Sequence, residues 1–273
     1  MDLSQKHQAL KDFFQTEGRV LVAFSGGVDS TLLIKVATDT LGAENAMGVT
    51  AKSETLTDEE FELTKRIAAQ FGFNHKAIEY SELEIENYAT NPANRCYFCK
   101  HELFERLAAL RHEWSDPTIV EGSHYEDLFE HRPGMTAARE LGVRSPLQEL
   151  KFTKDEIRRL AKDLGLPNWN KPSGACLSSR FPYGQQITRE GLDRVGLAEQ
   201  FLRSIGVGQC RVRHVHSTAK IEVLAQDFPK LMEEANREAI VARFKELGFV
   251  YITMDLAGYR SGAMNEVLPL QKK

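Results

Sequence analysis

The sequence predicts an α/β fold in which a parallel sheet carries helices on both faces, followed by a smaller C-terminal α+β unit. Three observations carry this. Short apolar runs rich in strand formers alternate with longer helical patterns up to residue 164. A glycine turn, Ser25-Gly26-Gly27, sits where the first such run gives way to a helix. A stretch dense in Gly, Pro, Ser and Asn, residues 165–184, then separates these elements from a second set, so the expected domains are 1–168 and 169–273.

The first helix is expected over 3–17, where Leu3, Ala9, Leu10, Phe13 and Phe14 recur at near-helical spacing and Gly18 follows as a stop. Val20-Leu21-Val22-Ala23-Phe24 is too short for a helix and apolar throughout, which suits a strand buried on both faces. The helical stretch Thr31-Leu32-Leu33-Ile34-Lys35 comes after the glycine turn. Strands are expected at 46–51, 74–78 and 118–121, with helices at 58–71, 100–111 and 154–164. Thr153 with Glu156 three positions on is a capping-box pattern for the last of these. Beyond the loop, a helix at 189–205, strands at 211–215 and 221–224, a helix at 228–247 and a strand at 250–254 complete the smaller unit. The chain shows no internal repeat and no low-complexity tract.

Composition narrows the function. The 273 residues carry 42% hydrophobic and 27% charged side chains, values of a folded globular protein. No apolar run approaches the roughly 20 residues that span a bilayer, and the opening MDLSQKHQALKDFF has no apolar signal core, so a cytoplasmic chain without membrane contact is expected. The formal net charge of −4 gives no support to nucleic-acid binding. Four cysteines, Cys96, Cys99, Cys176 and Cys210, are too few for a disulfide scaffold at this length. Metal, redox or thiol chemistry remains open to them.

The segment Ser25-Gly26-Gly27-Val28-Asp29-Ser30 lies between a buried strand and a helix, where glycines let backbone N–H groups turn toward an anion. The hydroxyls of Ser25 and Ser30 add donors. Asp29, an anion in an anion-binding loop, requires a cation such as Mg²⁺ between it and the phosphates. The pattern is neither a Walker A loop nor a dinucleotide turn. It is similar to the PP-loop of enzymes that split ATP between the α and β phosphates, among them NAD synthetases, GMP synthetases and tRNA thiolases, and so implies an adenine nucleotide alpha hydrolase-like sheet. Gly122-Ser123-His124-Tyr125-Glu126-Asp127, after a predicted strand, resembles a second segment of that group. The resemblance places Ser123 and Asp127 near the nucleotide and its metal.

Cys96 and Cys99 form a CxxC in NPANRCYFCK, directly before a predicted helix. Such a pair serves a redox couple, half a zinc site or two ligands of an iron–sulfur cluster. Cys176 stands in the central loop among small residues, in SGACLSSR, where Arg180 and Lys171 are expected to favour its thiolate. Three thiolates without an evident fourth ligand would leave one iron of a [4Fe–4S] cluster open. Cys210, at the start of a predicted strand, is expected to be buried packing. Arg211 and Arg213 flank Val212 on the same strand, so period two sets both guanidinium groups on one face about 7 Å apart, suited to a phosphate. Glu199, Glu222 and Asp227 would balance these arginines or bind a metal.

Taken together, the PP-loop, NPANRCYFCK, HRPGMTAARELGVRSPL, GLPNWNKPSGACLSSRFPYG, RVRH and the closing GYRSGAMNEVL resemble the LarE family across nearly the whole chain. These are ATP-dependent sulfur transferases of nickel-pincer nucleotide cofactor biosynthesis. The resemblance implies that ATP adenylates a carboxylate of pyridinium-3,5-biscarboxylic acid mononucleotide with loss of pyrophosphate, and that a sulfur nucleophile then displaces AMP. In the family the cysteine matching Cys176 gives up its own sulfur, or three cysteines hold a [4Fe–4S] cluster whose open iron carries the sulfide. Cys96, Cys99 and Cys176 match the three-cysteine kind, and Arg260 in GYRSG joins Arg211 and Arg213 as a phosphate ligand. Implied partners are the nucleotide substrate, other enzymes of nickel-pincer assembly, a sulfide source and further copies of the chain. Rival readings are a PP-loop tRNA thiolase, an ammonia-dependent amidating enzyme of the NAD synthetase type, and a nucleotide- or metal-sensing module without turnover.

Overall fold

In the structure, a computed structural model, residues 1–130, 132–172, 174–260 and 262–267 are described. His131, Ser173 and Ser261, which fall inside three of the motifs above, lie outside the described residues, as does the segment 268–273. The chain divides into two compact units, one of Met1–Ile85 with Asn94–Gly174 and one of Glu86–Ala93 with Ala175–Lys273. Residues 169–174 therefore go with the first unit, and 86–93 with the second.

The first unit opens with α1 (Leu3–Glu17), β1 (Val20–Ala23), α2 (Val28–Leu41), β2 (Ala46–Lys52), α3 (Asp58–Phe71) and β3 (Asn74–Glu79). It continues with α4 (Arg95–Arg111), β4 (Thr118–Val120), α5 (Gly134–Glu140), α6 (Pro146–Glu149) and α7 (Lys154–Asp163). The strands form one parallel sheet in the order β3-β2-β1-β4. The unbroken apolar run of β1 has a direct cause. Val20 and Val22 pack with Leu10 and Phe14 of α1, Leu32, Leu33 and Val36 of α2, and Ile157 and Leu160 of α7. Leu21 packs on the opposite face with Phe104 and Leu107 of α4 and Ala137 of α5. Each large side chain buried this way stabilises the fold by about 1.5–3 kcal/mol.

The strand order has a functional consequence. From β1 the chain moves outward through β2 to β3 and then returns to the other side of β1 with β4, so the winding reverses between β1 and β4. Open α/β sheets bind ligands at the carboxyl ends of the strands where this reversal occurs. The loops leaving β1 and β4 are the two that carry the glycine motifs.

Helix ends follow their caps. Thr57 and Glu60 make a capping box at α3, and Thr153 and Glu156 make the one expected at α7. Two differences from the sequence reading matter. The helix expected from 100 begins at Arg95, so Cys96 and Cys99 lie within its first turns rather than before it. The helix expected over 228–247 breaks at Glu233, whose extended ψ of 133° separates α9 (Phe228–Met232) from α10 (Glu234–Glu246).

The second unit holds α8 (Arg189–Ser204), β5 (Cys210–Val215), β6 (Thr218–Val223), α9, α10 and β7 (Tyr251–Met254). Its sheet runs β5-β6-β7, antiparallel between β5 and β6 and parallel between β6 and β7. Leu192, Val195, Ala198 and Leu202 of α8, with Val212, Ile221, Val223 and Phe244, are among its buried apolar residues. No helix among the described residues is long and apolar enough to cross a membrane.

Candidate functional site

In the first unit the loop after β1 is shaped by its own hydroxyls. The Ser25 amide donates to Ser30 Oγ at 3.2 Å, Ser30 Oγ donates to the Gly27 carbonyl at 3.2 Å, and the two serine hydroxyls lie 3.3 Å apart. Thr31 Oγ1 donates to the same carbonyl at 2.7 Å. Gly26 sits at φ 70°, and a Cβ there would come within 2.9 Å of Thr64 Cγ2, so only glycine fits. Gly27 is the extended residue before α2 and has no side chain to cap it, which leaves that helix start open to an anion.

The second glycine motif packs directly on the first. A Cβ on Gly122 would lie 3.2 Å from both Asp29 Cβ and the Ser30 amide nitrogen. Ser25, Gly26, Gly27, Asp29 and Ser30 are thus brought together with Gly122 and its neighbour Ser123 at the reversal of the sheet. Asp127 has a different setting. Its buried carboxylate accepts from the His124 amide at 3.0 Å and pairs with Arg132 at 2.7 Å, closing its own short 3-10 turn.

Further side chains, to which the motifs assign no role, complete this corner. Lys154, the first residue of α7, donates to both carboxylate oxygens of Asp29 at 2.7 and 2.6 Å. Asp29 is thus paired with a cation of the chain itself. Asn168 Nδ2 donates to the Gly26 carbonyl at 3.0 Å and to Thr31 Oγ1 at 2.9 Å, which fixes the loop from behind. Burial raises the pKa of Glu121, but the nearby Lys100 ammonium and hydrogen bonds from Ser123 and Ser145 outweigh it, so the carboxyl stays below its ordinary range. Lys100 follows Cys99 in α4, so this contact ties the cysteine-bearing helix to the end of β4.

Cys96 and Cys99, three apart on a helix, lie on one face near its N-terminus, Cys96 exposed and Cys99 partly so. That donor pair fits two ligands of a metal centre. Among the described residues no group of three or more His, Cys, Asp or Glu side chains is arranged to hold a metal ion.

The second unit carries the third cysteine. Cys176 is exposed and precedes a 3-10 turn, Leu177–Arg180. Arg180 is 4% exposed and forms a two-point ion pair with Glu199, both bonds 2.8 Å, so its charge is largely offset where it stands. Lys171 belongs to the first unit and approaches Glu60 at 3.9 Å. Burial raises the carboxyl of Glu199, yet Arg180, Arg211 and the Val212 amide hold it below its ordinary pKa.

Arg213 is also buried. Its Nε and Nη2 donate to Glu222 Oε2 at 2.9 and 2.6 Å, and its Nη1 donates to the Ser179 carbonyl at 2.8 Å. With Lys220, Glu222, Arg260, Met264 and others it lines a cavity of about 260 Å³. Arg211 stands over the Tyr259 ring at 5.3 Å and donates to the Cys210 carbonyl. The structure thus places Arg213 and Arg260 on one cavity and shows that Glu222 and Glu199 balance arginines, one of the two roles expected of them. Cys210 is buried packing, and burial pushes its thiol up to about 11. Sequence motifs assign no role to Lys154, Asn168 or Lys220 and do not pair Arg180 with Glu199. Only Lys154 had a local signal, as a cation opening a helix at a position that disfavours cations.

Comparison with known proteins agrees with this geometry. The NAD synthase family matches residues 3–101, which include the glycine loop. An uncharacterised protein of Synechocystis sp. is 45% identical over 97% of this chain and 99% of its own length. An uncharacterised protein of Methanocaldococcus jannaschii is 33% identical over 92% of this chain and 94% of its own. The pyridinium-3,5-bisthiocarboxylic acid mononucleotide synthase of Lactiplantibacillus plantarum is 40% identical over 95% of this chain and 92% of its own. On that likeness, and with an ATP-type loop built at the reversal of the sheet, the chain belongs to the LarE family of ATP-using sulfur transferases.

Proposed function

We propose that the protein converts the carboxylates of pyridinium-3,5-biscarboxylic acid mononucleotide to thiocarboxylates. The observation that carries this is the pairing of a glycine loop built for ATP with an exposed cysteine on a fastened loop, in a chain 40% identical to a synthase of the bisthiocarboxylate. A carboxylate oxygen attacks the α-phosphorus, the bond to the β-phosphate oxygen breaks, and pyrophosphate leaves. A sulfur nucleophile then attacks the acyl carbon and AMP departs, a good leaving group from an otherwise poor electrophile. Repetition at the second carboxylate completes the product.

Ser25, Gly26, Gly27 and Ser30 would receive the pyrophosphate, with Ser123 beside them. Mg²⁺ arriving with ATP would meet Asp29, with Asp127 as the further carboxylate, and Lys154 would neutralise the charge left on the loop. The cavity of Arg213 and Arg260 suits the 5′-phosphate of the nucleotide, with Arg211 on the same strand.

Sulfur comes from one of two sources. Cys176 Sγ can itself form the thioester, after which its Cα proton is lost, Cβ–Sγ breaks, and the product leaves with dehydroalanine in the chain. Alternatively Cys96, Cys99 and Cys176 are the ligands of a [4Fe–4S] cluster, which when bound would supply the sulfide. The three-cysteine pattern favours the second. A cytoplasmic setting, a sulfide-regenerating protein, other enzymes of nickel-pincer assembly and self-association complete the proposal.

The test is anaerobic reconstitution followed by iron and sulfide analysis. The cluster reading expects about four irons per chain, as a [4Fe–4S] centre requires, lost in Cys96→Ala. Dehydroalanine at Cys176 with one sulfur transferred per chain would instead establish the sacrificial route.

A further inference from the structure

The segment that carries Cys176 is fastened residue by residue within the second unit. The Ser178 hydroxyl lies 2.7 Å from the buried Tyr88 hydroxyl, and the Ser179 carbonyl accepts from Arg213. Arg180 does more than either. Its Nη1 donates to the Ala175 carbonyl at 2.6 Å, the Cys176 carbonyl at 3.0 Å and Ser179 Oγ at 2.9 Å. The Ala175 and Cys176 carbonyls belong to the two peptide planes on either side of the Cys176 Cα. Held by one nitrogen, those planes fix φ at −54° and ψ at 154° and leave the thiol only its χ1 rotation.

The rest of the guanidinium is anchored by Glu199, whose Oε1 also accepts from the Val212 amide at 3.0 Å. Val212 stands between Arg211 and Arg213 on β5. Stability does not account for such a pair, because buried ion pairs are commonly matched or bettered by apolar residues of similar volume. A rigid planar fork, however, imposes direction, which neither a lysine nor an apolar chain can do.

We propose that Arg180 is a positioning residue for Cys176: it sets the direction of the Cα–Cβ bond that bears the Cys176 sulfur, whether that sulfur is donated or holds a cluster, and through Glu199 it keeps that direction in register with β5. The inference rests on the reading of Cys176 as the sulfur-bearing residue. It adds a role that charge alone does not describe.

Four proteins test it: wild type, Arg180→Lys, the double variant Arg180→Met with Glu199→Leu, and Cys176→Ala. Each is given MgATP and pyridinium-3,5-biscarboxylic acid mononucleotide anaerobically, and pyrophosphate and thiocarboxylate are both measured. In parallel, the alkylation rate of Cys176 is followed by peptide mass spectrometry. The double variant should retain the wild-type melting temperature to within a few degrees. Both Arg180 variants should release pyrophosphate within about twofold of wild type while thiocarboxylate per pyrophosphate falls about tenfold or more, the scale on which misplacement of a reacting group acts. Their Cys176 alkylation rates should also change. A wild-type product ratio in Arg180→Lys, an equal loss of both products, or unchanged alkylation would overturn the proposal. Thiocarboxylate formed by Cys176→Ala would instead remove the reading on which it rests, whatever the Arg180 variants show.

Discussion

The two units organise their sites by different means. In the first, neighbouring serines and glycines shape the loop through short-range hydrogen bonds, Ser25 with Ser30 and Ser30 with Gly27, and one partly buried ion pair crosses it. In the second, the loop of Cys176 is held by buried ion pairs between different elements, Arg180 with Glu199 and Arg213 with Glu222. The contrast suits the chemistry. A phosphate site needs donors left facing solvent until ATP arrives, whereas the role proposed for Cys176 needs its backbone fixed while the thiol alone stays accessible.

Removal of single groups should separate these designs. Cys176→Ala is expected to abolish thiocarboxylate formation and leave the melting temperature unchanged, because the side chain is exposed. Glu199→Ala leaves the Arg180 guanidinium buried without its carboxylate and should cost about 3–5 kcal/mol in a denaturant titration. Gly26→Ala forces a left-handed conformation at about 1–2 kcal/mol and crowds Thr64, so pyrophosphate release should fall about tenfold or more while folding survives. A loss of stability in Gly26→Ala as large as in Glu199→Ala would erase the contrast.

The pH dependence sharpens it further. Glu199 and Glu121 both have folded carboxyls held below their ordinary range. In acid the unfolded chain therefore binds protons that the folded chain does not. Their contribution to stability is full above the unfolded value of about 4.3 and is lost as pH falls through the folded values. Urea titrations between neutral pH and about pH 3 should show that fall, shallower in Glu199→Gln. The smallest effect is expected at Lys154→Met. The pair with Asp29 is partly solvated and contributes at most about 1 kcal/mol to folding, so its loss should appear in the MgATP dependence of pyrophosphate release rather than in melting.

What could be read from the sequence follows the same division. The bounds of α1 and α3 and the capping box of α7 rest on local patterns, and the structure has them where the patterns put them. The start of α4 was misplaced because Asn94 precedes it with no side-chain cap bond, and α5 and α6 are too short for periodicity to reveal. The glycine loop was legible because strand, turn and helix are contiguous. Lys154 and Asp29 are 125 residues apart, and Arg180 and Glu199 are 19 apart in different elements, so only the fold brings them together. Sequence identifies Arg180 as a charge near Cys176; its buried partner Glu199 and its bonds to the Ala175 and Cys176 carbonyls become visible only in the fold.

The most direct test of sulfur transfer through Cys176 is the anaerobic reaction of the 273-residue chain with MgATP and pyridinium-3,5-biscarboxylic acid mononucleotide, followed by mass analysis of both product and protein. Wild type should exchange carboxylate oxygen for sulfur with matched release of pyrophosphate, and Cys176→Ala should release pyrophosphate without that exchange. Thiocarboxylate formed by Cys176→Ala, or pyrophosphate released by wild type with no sulfur in the product, would contradict the account.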